Sequence, residues 1–152
     1  MELNTKGRYA VMAMADLAKN GADTPVPLSA IAERQQLSLP YLEQIFMQLR
    51  RAGLVESARG RSGGYKLGRE ADEIPVADIM RAVAEETRIT RCTAGDQGCM
   101  GGSEHCIAHG LWSALGEEID AFLDRVTLAE VLGGIPLAKR AQKASLGGMA
   151  AE

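Results

Sequence analysis

The chain has 152 residues, of which 46% are hydrophobic and 24% charged, and its formal net charge is −3. No apolar run approaches the roughly 18 residues that a membrane-spanning helix needs, and the N-terminus lacks the basic, apolar and cleavage-site succession of a signal peptide. We therefore expect a cytoplasmic globular protein with no membrane association, in a compartment that keeps thiols reduced and favours metal ligation over disulfides.

The charge is unevenly distributed along the chain. Residues 1–70 contain ten Lys or Arg and seven Asp or Glu, whereas residues 71–152 contain seven and thirteen. Because salt screens each charge beyond roughly 8 Å, the local excess of +3 matters more for a polyanionic partner than the negative total. The excess is modest and does not by itself indicate nucleic-acid binding.

Three helices are predicted in the first third of the chain. Their predicted spans are residues 5–20, 29–36 and 38–52. Gly21 stops the first helix and Gly53 stops the third. Ser38 opens the third helix as its N-cap, an interaction worth about 1 kcal/mol, and Pro40 falls in the first turn, where a missing N–H costs little.

The third helix divides into an apolar and a polar half at the helical period. The predicted inner half consists of Leu39, Leu42, Ile45, Phe46, Leu49 and Ala52. The predicted outer half consists of Pro40, Tyr41, Glu43, Gln44, Met47, Gln48, Arg50 and Arg51. The outer half is therefore rich in groups that hydrogen-bond base edges or phosphates.

Two short strands are predicted after these helices. They cover residues 54–57 and 65–67, and residues 59–64 join them as a flexible hairpin tip with two arginines. Three helices followed by a basic β-hairpin is the order of a winged helix-turn-helix, with residues 36–37 as the tight turn. The predicted fold class is mainly α with a small β-hairpin wing.

The outer face of the third helix and the wing supply the candidate DNA-binding residues. Recognition helices place their N-terminal side chains on base edges in the major groove, where glutamine can pair with adenine through two hydrogen bonds. Arginines farther along are better placed for phosphates, and those at the wing tip for the minor groove or the backbone. The candidates are Ser38, Tyr41, Glu43, Gln44, Gln48, Arg50, Arg51, Arg59 and Arg61. Taken alone, the same pattern also fits a solvated surface helix.

Glu43 is unusual on such a surface, because a carboxylate that faces DNA is repelled by phosphates. It can accept a hydrogen bond from a cytosine amino group and so penalise other bases. It can equally lie at the flank of the face and pair with Lys or Arg. The residues alone leave both interpretations open.

The second half of the chain is predicted to contain a fourth helix over residues 74–84, a loop and a long helix over residues 105–125. The long helix carries an apolar stripe formed by Ile107, Leu111, Leu115, Ile119, Phe122 and Val126. Thr127 and Glu130 match a capping box that opens a last short helix. The predicted units are residues 1–70 for DNA binding, 71–104 for helix and cysteine loop, 105–138 for the long and final helices, and 139–152 for a disordered tail.

The loop holds the clearest chemical signal. Cys92, Cys99 and Cys106 are the only cysteines, and thiolates grouped in this way bind zinc or an iron–sulfur cluster. Six residues separate successive cysteines, so the C-x-x-C pairs of structural zinc sites are missing; this favours a cluster and leaves zinc as an alternative. His109 shares a predicted helical face with Cys106 and is expected to be the fourth ligand, whereas His105 points about 100° away.

Four segments carry the motifs of a known family: residues 3–11, 39–46, 59–65 and 92–112. They resemble the IscR-type iron–sulfur cluster regulators of the Rrf2 family of winged helix-turn-helix transcription factors, and the resemblance covers about residues 1–133. It implies a homodimer with one [2Fe–2S] cluster per subunit. The implied cluster ligands are Cys92, Cys99, Cys106 and His109. The loop departs from the family pattern, which has five residues between successive cysteines.

The resemblance also implies roles for the two faces of the protein. Glu43 would let the cluster-free and cluster-loaded forms prefer different DNA sites. The long helix would form the dimer interface, through Leu111, Leu115, Ile119 and Phe122. The function expected from it is a regulator, not an enzyme, that senses iron–sulfur or redox status, binds a pseudo-palindromic operator and controls cluster-assembly genes. The iron–sulfur assembly machinery would supply the cluster.

Other functions remain as alternatives. A sister branch of the family senses nitric oxide with a [4Fe–4S] cluster and an N-terminal aspartate ligand, but residues 6–8 here read Lys-Gly-Arg. An iron-responsive regulator with a [4Fe–4S] cluster, a zinc-stapled DNA-binding protein and a cluster carrier are also compatible with the cysteine loop. An enzyme is disfavoured, because the sequence has no phosphate-binding glycine motif and Cys106 with His109, as the catalytic pair of a thiol enzyme, lacks an evident substrate pocket.

Overall fold

The computed structural model describes residues 5–60, 62–83, 99–100 and 104–136. Its elements are α1 (Thr5–Asn20), α2 (Leu28–Gln35), α3 (Leu39–Arg51), β1 (Val55–Ala58), β2 (Gly64–Leu67), a 3-10 turn (Ala71–Glu73), α4 (Val76–Ala82), α5 (His109–Arg125) and α6 (Leu128–Gly133). The predictions for Arg61, Cys92, most of the cysteine loop and the 139–152 tail lie outside the described residues. No helix in the described part is long and apolar enough to cross a membrane.

The first three helices form the main core. α1 contacts α2, α3, α4, α6 and β2, so it lies at the centre of the packing. The middle of the predicted inner face of α3 is fully buried, at Leu42, Ile45, Phe46 and Leu49. Leu39 is 37% exposed and Ala52 is also exposed, contrary to the prediction, because they flank the buried segment at the two ends of the helix.

A tight turn joins α2 to α3. Gln36 adopts a left-handed conformation with φ 53°, and the amide of Leu37 donates to the carbonyl of Ala32 at 2.9 Å. Ser38 occupies the N-cap position of α3, but its side chain makes no capping hydrogen bond, so that part of the prediction is wrong. An N-cap side chain accepts from the second or third helical amide, and Pro40 at the second position has none.

The wing is a two-stranded antiparallel hairpin with Val55 opposite Leu67. Both strands differ from the predicted spans by one residue. The hairpin is anchored to the segment before α2, because Val26 and Tyr65 exchange backbone hydrogen bonds of 2.9 and 2.8 Å. A Cβ on Gly64 would lie 2.5 Å from the carbonyl carbon of Val26, so this glycine permits a close backbone approach.

The predicted fourth helix is shorter than expected, and Pro75 precedes its first residue. Ile79 and Val83 are buried, as predicted. α6 begins with the predicted capping box: the amide of Glu130 donates to Thr127 Oγ1 at 3.3 Å, and the amide of Thr127 donates to Glu130 Oε2 at 3.0 Å.

The long helix α5 begins at His109, four residues later than predicted. It packs on α4 through its C-terminal half, where Phe122 and Leu123 contact a small cluster containing Val76 and Met80. None of its residues is buried within the single chain. Its N-terminal half therefore projects from the winged-helix core.

Candidate DNA-binding surface and metal site

The outer face of α3 is open at Glu43 and Gln44, and both side chains are exposed. Ser38, Arg50 and Arg51 are also exposed. The face therefore offers a carboxylate, an amide and two guanidinium groups on a helix that follows a tight turn. That arrangement suits major-groove recognition with adjoining phosphate contacts.

Tyr41 and Gln48 are less accessible than the sequence predicts. The ring of Tyr41 is half-buried and packs edge-to-face on Tyr9 of α1, with ring centroids 6.1 Å apart. Gln48 is also half-buried, and its Oε1 is buried without a hydrogen-bond partner among the described residues. Packing against the neighbouring elements thus reduces what these two side chains can present to a base edge.

Side-chain contacts tie the wing to α3, among them the edge-to-face packing of Tyr65 on Phe46 with ring centroids 4.9 Å apart. Arg50 donates a hydrogen bond of 3.3 Å to Ser57 Oγ on β1. At the hairpin tip the amide of Gly63 donates to the carbonyl of Gly60 at 3.0 Å, and Arg59 is exposed. The tip can therefore carry a cation toward DNA beside α3, while Arg50 is partly engaged in its surface hydrogen bond with Ser57.

An ionic network around the buried carboxylate of Asp16 connects α2 to α1, and the sequence analysis missed it. Asp16 is 5% exposed and accepts from Arg34 through two nitrogens, with Nε to Oδ2 at 3.0 Å and Nη2 to Oδ1 at 2.5 Å. Gln35 donates to Oδ2 at 2.7 Å, and Asn20 donates to Oδ1 at 3.3 Å. Only the position of Asp16 among buried neighbours of α1 hinted at such a contact.

The electrostatics of this network favour the charged carboxylate. Burial raises the pKa of Asp16, but hydrogen bonds from Arg34 and Gln35 and the charge of Arg34 outweigh it, and the pKa lies below its usual value. The contact also raises the pKa of Arg34, chiefly through its hydrogen bond with Asp16. Because Arg34 and Gln35 directly precede the turn at Gln36, the network helps to set the entry to α3.

Sulfur and imidazole groups meet just before and at the start of α5. Cys99 Sγ lies 3.8 Å from His109 Nδ1, and the amide of Cys106 donates to Cys99 Sγ at 2.9 Å. The rings of His105 and His109 are stacked with centroids 3.9 Å apart and planes 28° apart. One ligand atom from each of Cys99, His105 and His109 lies within 4.8 Å of the others.

Two expectations about this site are wrong in their geometry. Cys106 and His109 do not share a helical face, because α5 begins only at His109; a turn joins them, with the His109 amide donating to the Cys106 carbonyl at 2.9 Å. His105 does not point away from His109, because the helix that would direct it elsewhere does not extend that far. The structure still brings Cys99, Cys106 and His109 into one neighbourhood.

The donor set suits a soft metal centre. Thiolate sulfur and neutral imidazole nitrogen are ligands of zinc and of iron–sulfur clusters. Of the four sequence-predicted ligands, Cys99 and His109 have their ligand atoms together, Cys106 contacts Cys99 through its backbone amide, and Cys92 lies outside the described residues. The residues present therefore fit an iron–sulfur cluster in donor chemistry, and they also fit zinc.

The apolar stripe of α5 is accessible in the single chain. Ile107 in the turn before α5 is fully exposed, Leu111 is 64% exposed and Trp112 is 38% exposed. Of the remaining stripe residues, Leu115, Ile119 and Phe122 are half-buried and Val126 is buried. A row of apolar side chains on a projecting helix is typical of a protein–protein contact.

The three-helix core, the wing and the exposed polar face of α3 define a winged helix-turn-helix DNA-binding regulator. The Rrf2 family model, described as an iron-dependent transcriptional regulator, matches residues 3–134. The chain belongs to the Rrf2 family. This confirms the predicted resemblance, the fold class and the expectation of a transcriptional regulator instead of an enzyme.

Individual relatives agree with the family. The chain is 52% identical to the HTH-type transcriptional regulator IscR of Serratia proteamaculans (strain 568) over 132 residues, which are 87% of this chain and 79% of the relative. It resembles the solved structure of T. potens IscR with a TM-score of 0.71 and 40% identity, covering 93% of each chain. It also resembles CymR, the global cysteine regulator of B. subtilis, with a TM-score of 0.73 and 34% identity, covering 88% of this chain and 97% of that one.

Proposed function

We propose that this protein is a homodimeric transcription factor that senses iron–sulfur status through a [2Fe–2S] cluster and controls the genes for cluster assembly. One observation carries the proposal: Cys99 Sγ lies 3.8 Å from His109 Nδ1 and accepts from the Cys106 amide just before α5, in a chain whose α3 has an exposed polar face. The metal ligands and the operator reader thus belong to one protein of the IscR type.

The proposed ligands are Cys92, Cys99, Cys106 and His109. The contact of 3.8 Å between Cys99 Sγ and His109 Nδ1 supports the part of this set that the structure describes. A bound cluster supplies a centre that oxidants and iron shortage remove. Replacing one thiolate by an imidazole reduces the negative charge of the site and makes ligation sensitive to protonation of His109. The cytoplasm and its assembly machinery are the proposed setting and cluster source.

The exposed side chains of α3 are the basis for the proposed DNA contacts. The proposed base-edge contacts are Gln44 and Glu43, whose exposure supports this role, with Ser38 and Tyr41 nearer the start of the helix. The other proposed contacts are Gln48, Arg50, Arg51, Arg59 and Arg61. Exposure of Glu43 supports its role as the group that rejects some operators, because an exposed carboxylate opposite phosphate or a wrong base lowers affinity.

The proposed dimer interface lies on α5. Leu111, Leu115, Ile119 and Phe122 are apolar and only partly covered in the single chain, so a second copy would bury the stripe. Two symmetry-related α3 helices would then face a pseudo-palindromic operator. Because His109 is the first residue of α5, ligation at His109 acts directly on the end of the proposed interface helix.

The proposal is tested by anaerobic purification with iron and sulfide quantitation, followed by mobility-shift assays of the loaded and the cluster-free protein. We expect equal iron and sulfide, two of each per chain, and charge-transfer absorption that is lost in Cys92→Ala, Cys99→Ala and Cys106→Ala. About four iron and four sulfide per chain would instead indicate a [4Fe–4S] cluster. Protein that stays colourless after reconstitution, or absorption that survives all three substitutions, would contradict the proposal.

A further inference from the structure

We propose that Cys99, His105 and His109 form a Zn²⁺ site in the cluster-free protein. His105 is outside the ligand set implied by the family resemblance. The zinc site therefore overlaps the proposed cluster site at two residues but differs from it in its third ligand. The zinc site depends only on the geometry of these three side chains. Its competition with the cluster additionally rests on the proposed function.

The distances are close to those of a zinc centre. With Zn–S near 2.3 Å and Zn–N near 2.0–2.1 Å, tetrahedral geometry puts sulfur and nitrogen ligands about 3.5 Å apart. Cys99 Sγ and His109 Nδ1 are 3.8 Å apart, and one ligand atom from each of Cys99, His105 and His109 lies within 4.8 Å of the other two. A tetrahedral zinc ion holds its ligand atoms closer together than 4.8 Å, so the two stacked rings must shift to bring one nitrogen from each toward the same ion.

The donor chemistry selects a borderline-soft divalent ion. One thiolate and two imidazoles suit zinc, whereas Mg²⁺ and Ca²⁺ take oxygen ligands. The amide of Cys106 donates to Cys99 Sγ at 2.9 Å, and a hydrogen bond of this kind holds a ligand sulfur in place. Three protein ligands leave the fourth tetrahedral position open, so the site binds zinc without requiring Cys92.

The shared ligands make the two occupancies exclusive. Cys99 and His109 belong both to this zinc site and to the proposed cluster set, whereas His105 belongs to the zinc site alone. Zinc bound here therefore holds the chain in the cluster-free form. The partition between the two forms is then set by the supply of zinc relative to iron and sulfide.

The test uses the full-length protein, made cluster-free anaerobically, with Zn²⁺ alone as the probe against a chromophoric chelator. We expect one zinc per chain in the wild type and at least roughly tenfold weaker zinc binding in His105→Gln. Loss of a residue that only hydrogen-bonds to a metal ligand already lowers metal affinity by about that factor. Glu104→Gln, an exposed neighbour, is the matched control and should bind zinc like the wild type. Circular dichroism shows whether each variant is folded.

A second measurement separates the two sites. Reconstitution of His105→Gln with iron and sulfide should give the same visible absorption and iron content as the wild type, and prior zinc loading should block reconstitution of the wild type. Unchanged zinc affinity in His105→Gln, no zinc binding by the wild type, or joint loss of zinc and cluster in this variant would overturn the proposal. The wild type could bind zinc through His105 and yet never acquire a cluster. That result would refute the proposed function but support the zinc site.

Discussion

Asp16 on α1 and Arg34 on α2 form a bidentate salt bridge, in which Arg34 Nε donates to Asp16 Oδ2 at 3.0 Å and Nη2 donates to Oδ1. The carboxylate is almost completely buried, whereas the guanidinium is 40% exposed. The contact connects the centre of the core to the last turn of the helix that leads into α3. It therefore couples the position of α2, and of the turn into α3, to the core.

Replacing this carboxylate should weaken the fold. Asp16→Asn keeps the size of the side chain but removes the charge that Arg34 and Gln35 contact, and hydrogen bonds to charged groups contribute about 1.5–3 kcal/mol. We expect the free energy of unfolding in urea to fall by about 2 kcal/mol. Asp23→Asn, in the exposed loop after α1, is the control and should change it by less than about 0.5 kcal/mol. Equal stability of both variants would contradict the structural role of Asp16.

The same carboxylate should make stability depend on acid pH. The pKa of Asp16 is lower in the folded than in the unfolded chain, so its contribution is complete above the unfolded value of about 3.9 and is lost as pH falls through the folded pKa. Urea melts between pH 7 and pH 2 should show a steeper loss of stability below about pH 4 in the wild type than in Asp16→Asn. Parallel pH profiles would show that this pKa is not depressed.

Substitutions at Gln48 and Gln44 should differ in their effects on thermal stability and on operator binding. Gln48→Met removes a buried carbonyl oxygen without a partner in the described structure, and such removal is neutral or stabilising by about 1 kcal/mol. Gln44→Met removes an exposed amide and should leave stability unchanged while weakening operator binding by about 1–3 kcal/mol. Thermal melting and mobility-shift titrations measure both effects. A destabilised Gln48→Met would show that the buried oxygen is satisfied in solution.

Gly64 should not tolerate a methyl group. In Gly64→Ala the new Cβ would lie 2.5 Å from the backbone of Val26, and such overpacking costs typically about 1–3 kcal/mol. Gly116→Ala on α5 is the matched control, because its Cβ meets nothing within 4 Å and helix propensity favours alanine by about 0.8–1.0 kcal/mol. Calorimetric melting should therefore move in opposite directions for the two variants. Unchanged stability of Gly64→Ala would show that the wing does not pack closely on this segment.

The apolar stripe of α5 should govern association. Leu111→Lys places a charge on the exposed stripe and should raise the dimer dissociation constant at least about 30-fold, the effect of a contact worth about 2 kcal/mol. Glu117→Lys introduces the same side chain on the opposite face of α5, where it replaces a carboxylate, and should leave the dimer intact. Sedimentation velocity over a concentration series measures both. Dissociation by neither variant would place the dimer contact elsewhere.

Local sequence patterns predict the DNA-binding half well. α3 has strong 3.6-residue periodicity, and its four central apolar residues are all buried. The capping box at Thr127 was also predictable, because both of its partners lie within one turn. The Asp16–Arg34 contact joins residues 18 positions apart, and no local pattern encodes such a pairing.

The metal site was predicted in composition but not in geometry. Thiols and an imidazole in one loop indicate ligation, whereas the orientation of His105 depends on where α5 begins. The sequence pattern extends the helix back to residue 105, since the apolar spacing continues through Ile107. In the structure the residues before His109 are not helical, and the Cys106 amide donates to Cys99 Sγ. The apolar periodicity of a helix carries no information about such a contact.

The position of a few rare side chains also gives the protein built-in spectroscopic reporters. The chain has two histidines and one tryptophan, and all three lie between residues 105 and 112, in the turn before α5 and in its first helical turn. Every imidazole resonance in a proton NMR spectrum and all indole fluorescence therefore originate at this junction. Events there can be followed in the unlabelled wild-type protein, without assigning a spectrum or introducing a dye.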